Sequence, residues 1–319
     1  MARVVMIPTG LAEWHGLPGA FRRLFPEHTF EVLPSAREME AAPDRYPLDG
    51  FTSTRLTDAH EQRPPESARE LIARAAQTAL GDTRARVTPA DLVIVLDDLE
   101  PANADQPDRV VRVMRAAVAA HLAGLTLDRI RETTARALCE RVSFHLAAPM
   151  IEAWFFADPA GLDRAMGAAR HASRANHFTP GSDPEDFSVT DPAYAAATEA
   201  DCPAWITRGR KKGDRPRWLS PSLDRTRHPK AYLQWLCHCP GERSCTGYQE
   251  RREGAAALSA LDWGAVWRVG RAQMPFLFAL VADIAEATGT APVPGAWLGA
   301  RAPLTDPFVV REGALLRNV

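Results

Sequence analysis

The chain has 319 residues, and its hydrophobic fraction of 46% and charged fraction of 24% are those of an ordinary globular protein. Its formal net charge of −2 excludes a general attraction to polyanions, so a nucleic-acid surface must be a local basic patch. The sequence lacks an apolar run of the roughly 18 residues that span a bilayer, and its N-terminal apolar run is too short for a signal peptide, so we expect a cytoplasmic protein without a membrane partner.

Short apolar runs alternate with helical patterns along residues 1–165. The clearest strand pattern is the run of consecutive apolar residues at 92–96, which is typical of a strand covered on both faces. Residues 34–65 hold five prolines and no sustained period, and they predict a loop. In chain order the alternation reads strand 4–7, helix 13–24, strand 29–33, helix 66–80, strand 92–96, helix 108–122, strand 142–147 and helix 149–156. This order predicts an α/β core with a mostly parallel, doubly wound sheet and flanking helices.

The second half of the chain lacks this alternation. Residues 166–253 predict an irregular insert that is basic and rich in cysteine, with one short helix at 231–236. Residues 254–287 return to helical patterns, and their strongly apolar end predicts a helix that packs back on the core. We therefore divide the chain into an α/β core (1–165), an insert (166–253) and C-terminal helices (254–319).

Acidic residues follow two of the predicted strands. Glu13 lies just beyond the turn after the first strand, while Asp97, Asp98 and Glu100 directly follow the strand 92–96. Ligands bind outside the carboxyl ends of parallel strands, and carboxylates crowded there repel one another unless a cation neutralises them. Because oxygen ligands favour Mg²⁺ or Mn²⁺, these four acids predict a metal site. Alternate residues of an extended segment share a face, so Asp98 and Glu100 should point one way and Asp97 the other.

Two alternatives accompany this interpretation. The first is that Asp97 and Asp98 cap the turn and helix that follow them, as acids at strand ends often do. The second concerns Glu152, which lies in an apolar turn after the strand 142–147. Glu152 either faces the metal cleft and completes the site, pairs with an Arg or a His such as His145, or is an acid favoured by the N-terminal dipole of a helix.

A basic, aromatic stretch at residues 205–230 is the second functional feature. Arg and Lys neutralise phosphates and Trp stacks on unpaired bases, so the stretch predicts contact with nucleic acid; the alternative is a solvated loop. Lys230, at its end, can instead reach the metal cleft and stabilise phosphoryl charge. The residues expected to contact nucleic acid are Arg208, Arg210, Lys211, Lys212, Arg215, Arg217 and Trp218.

Three cysteines lie within nine residues at Cys237, Cys239 and Cys245. Thiolates arranged tetrahedrally suit Zn²⁺, and Cys202 or His228 can supply a fourth ligand. Such a zinc ion would attach the insert to the core. The spacing differs from that of a standard zinc knuckle, and the alternative is three reduced cysteines near a turn.

Four stretches of the sequence resemble one family. The chain is similar to the Toprim-like bacterial proteins that are often encoded beside ATPases and are related to the overcoming-lysogenisation-defect nucleases. The block with Glu152-Ala153-Trp154 is the most specific part of the likeness. The stretches are Ile7-Pro8-Thr9-Gly10-Leu11-Ala12-Glu13, Leu96-Asp97-Asp98-Leu99-Glu100, residues 145–159, and a C-terminal part with Tyr248-Gln249-Glu250, Gly254, Leu261-Asp262-Trp263 and Met274-Pro275-Phe276.

The resemblance implies a Toprim-like fold and a metal-dependent nuclease whose ligands are the Glu after the first strand and the paired acids after the later one. The chain departs from the family's pattern at two places. Thr9 precedes Gly10 where the family has Glu, which leaves Glu13 as the acid of that segment, and Asp98-Leu99-Glu100 stands for the family's Asp-x-Asp.

We therefore expect an Mg²⁺- or Mn²⁺-dependent nuclease in which Glu13, Asp97, Asp98 and Glu100 bind the metal and Glu152 and Lys230 assist catalysis. The resemblance adds a role in anti-phage defence beside a partner ATPase, and the chain itself has no phosphate-binding loop for ATP. One alternative is a catalytically degenerate protein that binds nucleic acid or a partner. Another is a metal-dependent phosphatase or phosphotransferase that uses the same carboxylates.

Overall fold

A four-stranded parallel sheet forms the centre of the protein. The computed structural model describes residues 1–42, 48–82, 87–166, 183–198, 219, 224–237, 248–293 and 314–319. The strands lie in the order β2-β1-β3-β4, and every neighbouring pair is parallel. Their bounds are β1 Arg3–Pro8, β2 Thr29–Val32, β3 Leu92–Asp98 and β4 Val142–Ala147. The predicted α/β class and parallel sheet are thus confirmed, and each strand overlaps the run that predicted it.

Helices flank the sheet and continue through the described C-terminal part. Those of the first half are α1 Leu11–Leu24, α2 Ala36–Ala41, α3 Asp58–Gln62, α4 Glu66–Leu80, α5 Pro107–Ala123, α6 Asp128–Arg141 and α7 Pro159–Met166. They are followed by α8 Pro192–Ala196, α9 Pro229–Leu236, α10 Ala255–Ala260, α11 Trp263–Val269 and α12 Pro275–Thr288, with a π-helical turn at Glu250–Gly254. None of the described helices is long and apolar enough to cross a bilayer.

The two faces of the sheet are covered by different layers. Val5 and Ile7 of β1 face α4, α5 and α6, whereas Val4 and Met6 face α1 and the C-terminal helices. The same alternation continues along β3, which is why its residues 92–96 are all apolar. Both faces of β1, β3 and β4 are therefore largely buried, and the strand ends are where a polar site is expected.

Four segments differ from the sequence-based prediction. The predicted loop 34–65 contains α2 and α3, and Ser35 and Glu38 form a capping box that starts α2. Helix α6 was not predicted, because it buries few residues and therefore shows little apolar periodicity. The stretch predicted as a helix over 149–156 is a 3-10 helix at Ile151–Ala157, and the helical region 254–287 is divided into α10, α11 and α12.

The described part of the insert is more ordered than its composition predicts. Phe187, Tyr194 and Tyr232 are buried, and the Phe187 and Tyr232 rings pack against Phe156 of the core. The carboxylate of Glu185 accepts hydrogen bonds from the first backbone amides of α12, at 2.7 and 2.9 Å. These contacts attach the segments 183–198 and 224–237 to the core.

Residues 314–319 cover the free edge of β4. Asn318 accepts a hydrogen bond from the backbone N–H of Phe144 at 2.9 Å and donates one to its carbonyl at 2.6 Å. Arg317 donates to the carbonyl of Val142 through its backbone and to Asp283 Oδ1 through Nε, both at 2.8 Å. Backbone groups that an edge strand would leave open are thus paired.

Candidate functional site

The carboxyl ends of β1 and β3 meet at the point where the chain connections diverge. The chain leaves β1 toward β2 on one side and leaves β3 toward β4 on the other, while Pro8 pairs with Leu96 between them. In open parallel sheets this divergence opens a crevice in which ligands bind. A site is therefore expected at this end of the sheet, next to the residues that follow β1, β3 and β4.

Glu13 reaches this crevice from the first turn of α1. The residue is 3% exposed, and its carboxylate folds back over the backbone of Gly10. A Cβ atom at position 10 would collide with the Glu13 carboxylate, so a side chain there would displace it. Gly10 thus leaves the space that the Glu13 carboxylate occupies.

Asp98 reaches the crevice from the end of β3. Its Oδ1 accepts a hydrogen bond of 2.9 Å from the backbone N–H of Ile151, at the start of the 3-10 helix. The side chain therefore binds the turn after β4. The capping alternative had placed it on the turn and helix that directly follow β3, where the 3-10 helix Pro101–Asn103 has no side-chain cap. The charges of Glu13 and Glu152 also act on this carboxylate, so the bond to Ile151 and the proximity to the other acids occur together.

Glu152 lies in the 3-10 helix after β4 and is fully buried. Its Oε1 accepts a hydrogen bond of 3.0 Å from the hydroxyl of Tyr248 and lies 3.5 Å from Lys230 Nζ. Its Oε2 is buried and has no hydrogen-bond partner among the described residues. Because a buried carboxylate oxygen normally accepts hydrogen bonds or binds a cation, this atom is a candidate ligand for a cation.

Burial and neighbouring carboxylates raise the pKa values of all three acids. Burial and then the charge of Glu152 raise the pKa of Glu13 to about 8. Burial, followed by the charges of Glu13 and Glu152, raises the pKa of Asp98 well above its ordinary value. Burial also raises the pKa of Glu152, against the lowering effect of Lys230. The protein therefore supplies too little positive charge to keep all three carboxylates ionised at neutral pH, and in that sense the cluster is short of positive charge.

Asp97 points to the other side of β3 and anchors a loop. Its Oδ1 accepts a hydrogen bond of 2.6 Å from the hydroxyl of Thr9, and its Oδ2 accepts from the N–H of Phe51 at 3.1 Å and from Thr52 Oγ1 at 3.2 Å. Burial raises the pKa of Asp97 to about 6 although these donors lower it. Since both oxygens already have partners, we correct the four-acid grouping and leave Asp97 out of the proposed metal ligands.

Glu100 lies at the margin of the cluster. It is partly buried and has a φ of 58°, a left-handed conformation that non-glycine residues rarely adopt. Its N–H donates to the carbonyl of Pro149 at 2.7 Å, which holds the turn after β3 against the segment after β4. The charge of Glu100 contributes to the raised pKa values of Asp97 and Asp98, so its carboxylate lies within electrostatic range of the cleft.

Lys230 extends from the start of α9 to the opposite side of Glu152. Its Nζ lies 3.1 Å from Glu250 Oε1 as well as 3.5 Å from Glu152 Oε1. Sequence reasoning placed Lys230 at the cleft but missed Tyr248 and Glu250 as site residues. The only sequence signal for these two was the resemblance in their segment, because they reach Glu152 across about a hundred residues of chain.

One alternative paired His145 with Glu152, and the structure does not show this pair. The Nε2 of His145 lies 3.2 Å from Asp283 Oδ2, on the far face of β4, in an almost completely buried pair. Burial raises the pKa of Asp283, but the hydrogen bond and charge of His145 and the charge of Arg317 outweigh it, so that the pKa lies below its ordinary value. This pair joins α12 to the sheet and is separate from the acidic cluster.

The zinc ligands and nucleic-acid contacts predicted from the sequence lie mostly outside the described residues. Cys237 is described and is buried, and His228 accepts a hydrogen bond of 3.3 Å from the N–H of Ala231 at the start of α9. The predicted residues that fall outside are Cys202, Cys239, Cys245, Arg208, Arg210, Lys211, Lys212, Arg215, Arg217 and Trp218.

The donors of the cluster are those that a hard divalent cation prefers, although their arrangement is not yet that of a metal site. Within the described ranges, no group of three or more His, Cys, Asp or Glu side chains is arranged to hold an ion as the side chains stand. The chemistry of Glu13, Asp98 and Glu152 nevertheless fits Mg²⁺ or Mn²⁺, because all their donors are carboxylate oxygens and Glu152 Oε2 has no partner in the described parts of the chain. No protein-family model, curated protein or solved structure matches the chain.

Proposed function

We propose that the protein is a nuclease that hydrolyses phosphodiester bonds with a divalent cation, Mg²⁺ or Mn²⁺, held by Glu13, Asp98 and Glu152. One observation carries the proposal: the buried Glu152 Oε2 has no partner in the described structure although it lies in a cluster that is short of positive charge. A cation bound there would relieve the mutual repulsion of carboxylates from three neighbouring strand ends. The family resemblance of the segments that carry these acids, and with it a Toprim-like fold, supports the proposal.

The side chains divide the chemistry between them. A bound divalent cation supplies activation of water and neutralisation of phosphoryl charge. Asp98 keeps the turn at Ile151 in place, and thereby the backbone that presents Glu152. Tyr248 orients the Glu152 carboxylate through its hydrogen bond, and the ammonium of Lys230 is placed to stabilise negative charge on a phosphate.

The choice of nucleic acid as substrate is supported by the sequence of the insert. The basic stretch at 205–230 offers the local positive charge that a chain of net charge −2 otherwise lacks. Cooperation with a partner ATPase in anti-phage defence is supported by the family resemblance alone.

The test is cleavage of single- and double-stranded DNA and RNA in the presence of Mg²⁺ or Mn²⁺. Asp98→Asn keeps an acceptor for the Ile151 amide but removes the charge, so we expect cleavage to fall by about 100-fold or more. Glu132→Gln, which changes an exposed acid on α6, is the matched control and should cleave like the wild type. Equal cleavage by wild type and Asp98→Asn would refute the assignment.

A second candidate is a non-catalytic protein that binds nucleic acid or a partner. It is favoured by the side-chain arrangement, in which no described group of acids holds an ion as it stands. Nucleic-acid binding with a steep salt dependence and no turnover would support it. The third candidate is a metal-dependent phosphatase or phosphotransferase that uses the same carboxylates. Turnover of small phosphate esters in a parallel screen would distinguish it from the nuclease and from the non-catalytic protein.

A further inference from the structure

We propose that the ammonium group of Lys230 occupies the position of a second cation, so that the acidic cluster binds one divalent ion and not two. This inference rests on the proposed function, since it concerns how many ions the same site takes. It identifies Lys230 as a built-in replacement for a metal ion in phosphodiester hydrolysis.

The two oxygens of Glu152 have different surroundings. Oε1 is engaged by Tyr248 at 3.0 Å and faces Lys230 Nζ at 3.5 Å, whereas Oε2 is buried without a hydrogen-bond partner in the described structure. In sites with two metal ions about 3.5–4 Å apart, a bridging carboxylate gives one oxygen to each ion. Here one oxygen already faces a cation of the protein, and a single oxygen remains for an ion from solution.

Lys230 is held in this position by a second carboxylate. Glu250, the first residue of the π-helical turn, lies 3.1 Å from Nζ through Oε1, so the ammonium bridges Glu152 and Glu250. The lysine side chain is only 9% exposed and starts from the buried first turn of α9. A bridging, desolvated ammonium between two carboxylates has the surroundings that a second divalent ion would need.

The two sides of the Glu152 carboxylate differ in charge, and this difference explains why one ion suffices. On the Glu250 side, one ammonium faces two carboxylates, and its positive charge stays in place without any ion from solution. On the other side, Glu152 Oε2 is buried without a hydrogen-bond partner among the described residues, and the charge of Lys230 only partly offsets the burial and repulsion that raise the pKa values of Glu13 and Asp98. The position left for an ion from solution is therefore the one at Oε2.

The experiment counts Mn²⁺ ions bound by the full-length protein, using electron paramagnetic resonance and equilibrium dialysis. We expect one ion per chain in the wild type, with a spectrum free of coupling between neighbouring ions. Lys230→Ala empties the position between Glu152 and Glu250 and should bind two ions, whereas Lys230→Arg should bind one. The double variant Lys230→Ala/Glu250→Gln should return to one ion, because the second position then loses a ligand. Glu132→Gln is the control and should match the wild type.

The outcomes separate the inference from the function on which it rests. Absence of Mn²⁺ binding by the wild type would overturn the proposed metal site and the inference with it. Two coupled ions in the wild type would overturn the inference alone and leave the metal-dependent function standing. A single ion in both the wild type and a folded Lys230→Ala would show that Lys230 does not stand for a cation. The wild-type count decides between these even if Lys230→Ala fails to fold.

Discussion

The pKa of Glu13 makes the stability of the metal-free protein fall as pH rises. Burial and Glu152 raise this pKa from 4.5 to about 8 in the folded protein. Between these values the folded state holds a proton that the unfolded state has lost, so the free energy of unfolding decreases with increasing pH. Glu13→Gln removes the titrating group while keeping a side chain of similar size.

The size of the effect follows from the two pKa values. Because a tenfold change in proton affinity is worth about 1.4 kcal/mol, the full penalty is roughly 5 kcal/mol above pH 8. Of this, roughly 2 kcal/mol develops between about pH 6 and pH 8 according to the linkage relation. Glu13→Gln should remove at least that much of the wild-type decrease, since it also relieves repulsion at Asp98.

Urea unfolding followed by tryptophan fluorescence measures this decrease at about pH 6, 7 and 8, with EDTA present to remove divalent ions. The wild type should become less stable across the series, and the stability of Glu13→Gln should fall by roughly 2 kcal/mol less, the remaining decrease coming from the raised pKa of Asp98. Glu132→Gln, with its exposed acid, should follow the wild type. A wild type whose stability does not fall over this range, or a Glu13→Gln protein that falls equally, would refute the electrostatic reasoning.

Three further predictions concern metal and packing. Mn²⁺ at a hundred times its Kd should stabilise the wild type by about 2.7 kcal/mol and Glu13→Gln far less, and equal shifts in thermal melting would contradict a site at Glu13. Asp283→Asn should cost about 3 kcal/mol at neutral pH, because it leaves the buried His145 without its charged partner. Since the pKa of Asp283 is lowered, the wild-type pair stabilises the fold above the ordinary aspartate range and loses this effect as pH falls through the folded-state value, so acid unfolding should be shallower in the variant. Asn318→Ala should cost about 2 kcal/mol and speed hydrogen exchange at the Phe144 amide, and unchanged exchange would show that the C-terminal residues do not protect β4.

The sheet could be predicted from the sequence because three of its four strands, β1, β3 and β4, are buried on both faces. Runs such as 92–96 are apolar at every position, and the helices between them, such as α4, carry a clear apolar stripe that ends at a glycine. Helix α6 was not predicted from the sequence because most of its surface faces solvent and it shows little apolar periodicity. The segment after β4 was assigned the wrong helix type, since a 3-10 turn and the start of an α-helix share the same apolar pattern.

Only the part of the acidic site that lies at the strand ends could be predicted from the sequence. The positions of Glu13 and Asp98 follow from the rule that parallel strands place their carboxyl ends together. The separation of Asp97 from Asp98 was foreseen from their alternation, but its consequence depended on loop 50–52, whose donors lie 45 or 46 residues away along the chain. The contacts of Glu152 with Tyr248 and Lys230 join segments more distant still, and no local pattern encodes them.

The adjacent acids Asp97 and Asp98 serve different parts of the molecule, since one fastens the loop 50–52 to the sheet and the other faces the crevice. A double alanine substitution of the pair would damage both at once, and the resulting phenotype would have no single interpretation. A genetic study should therefore change Asp98 alone. A natural variant that loses only Asp97 should behave as a temperature-sensitive allele, with function retained in the cold.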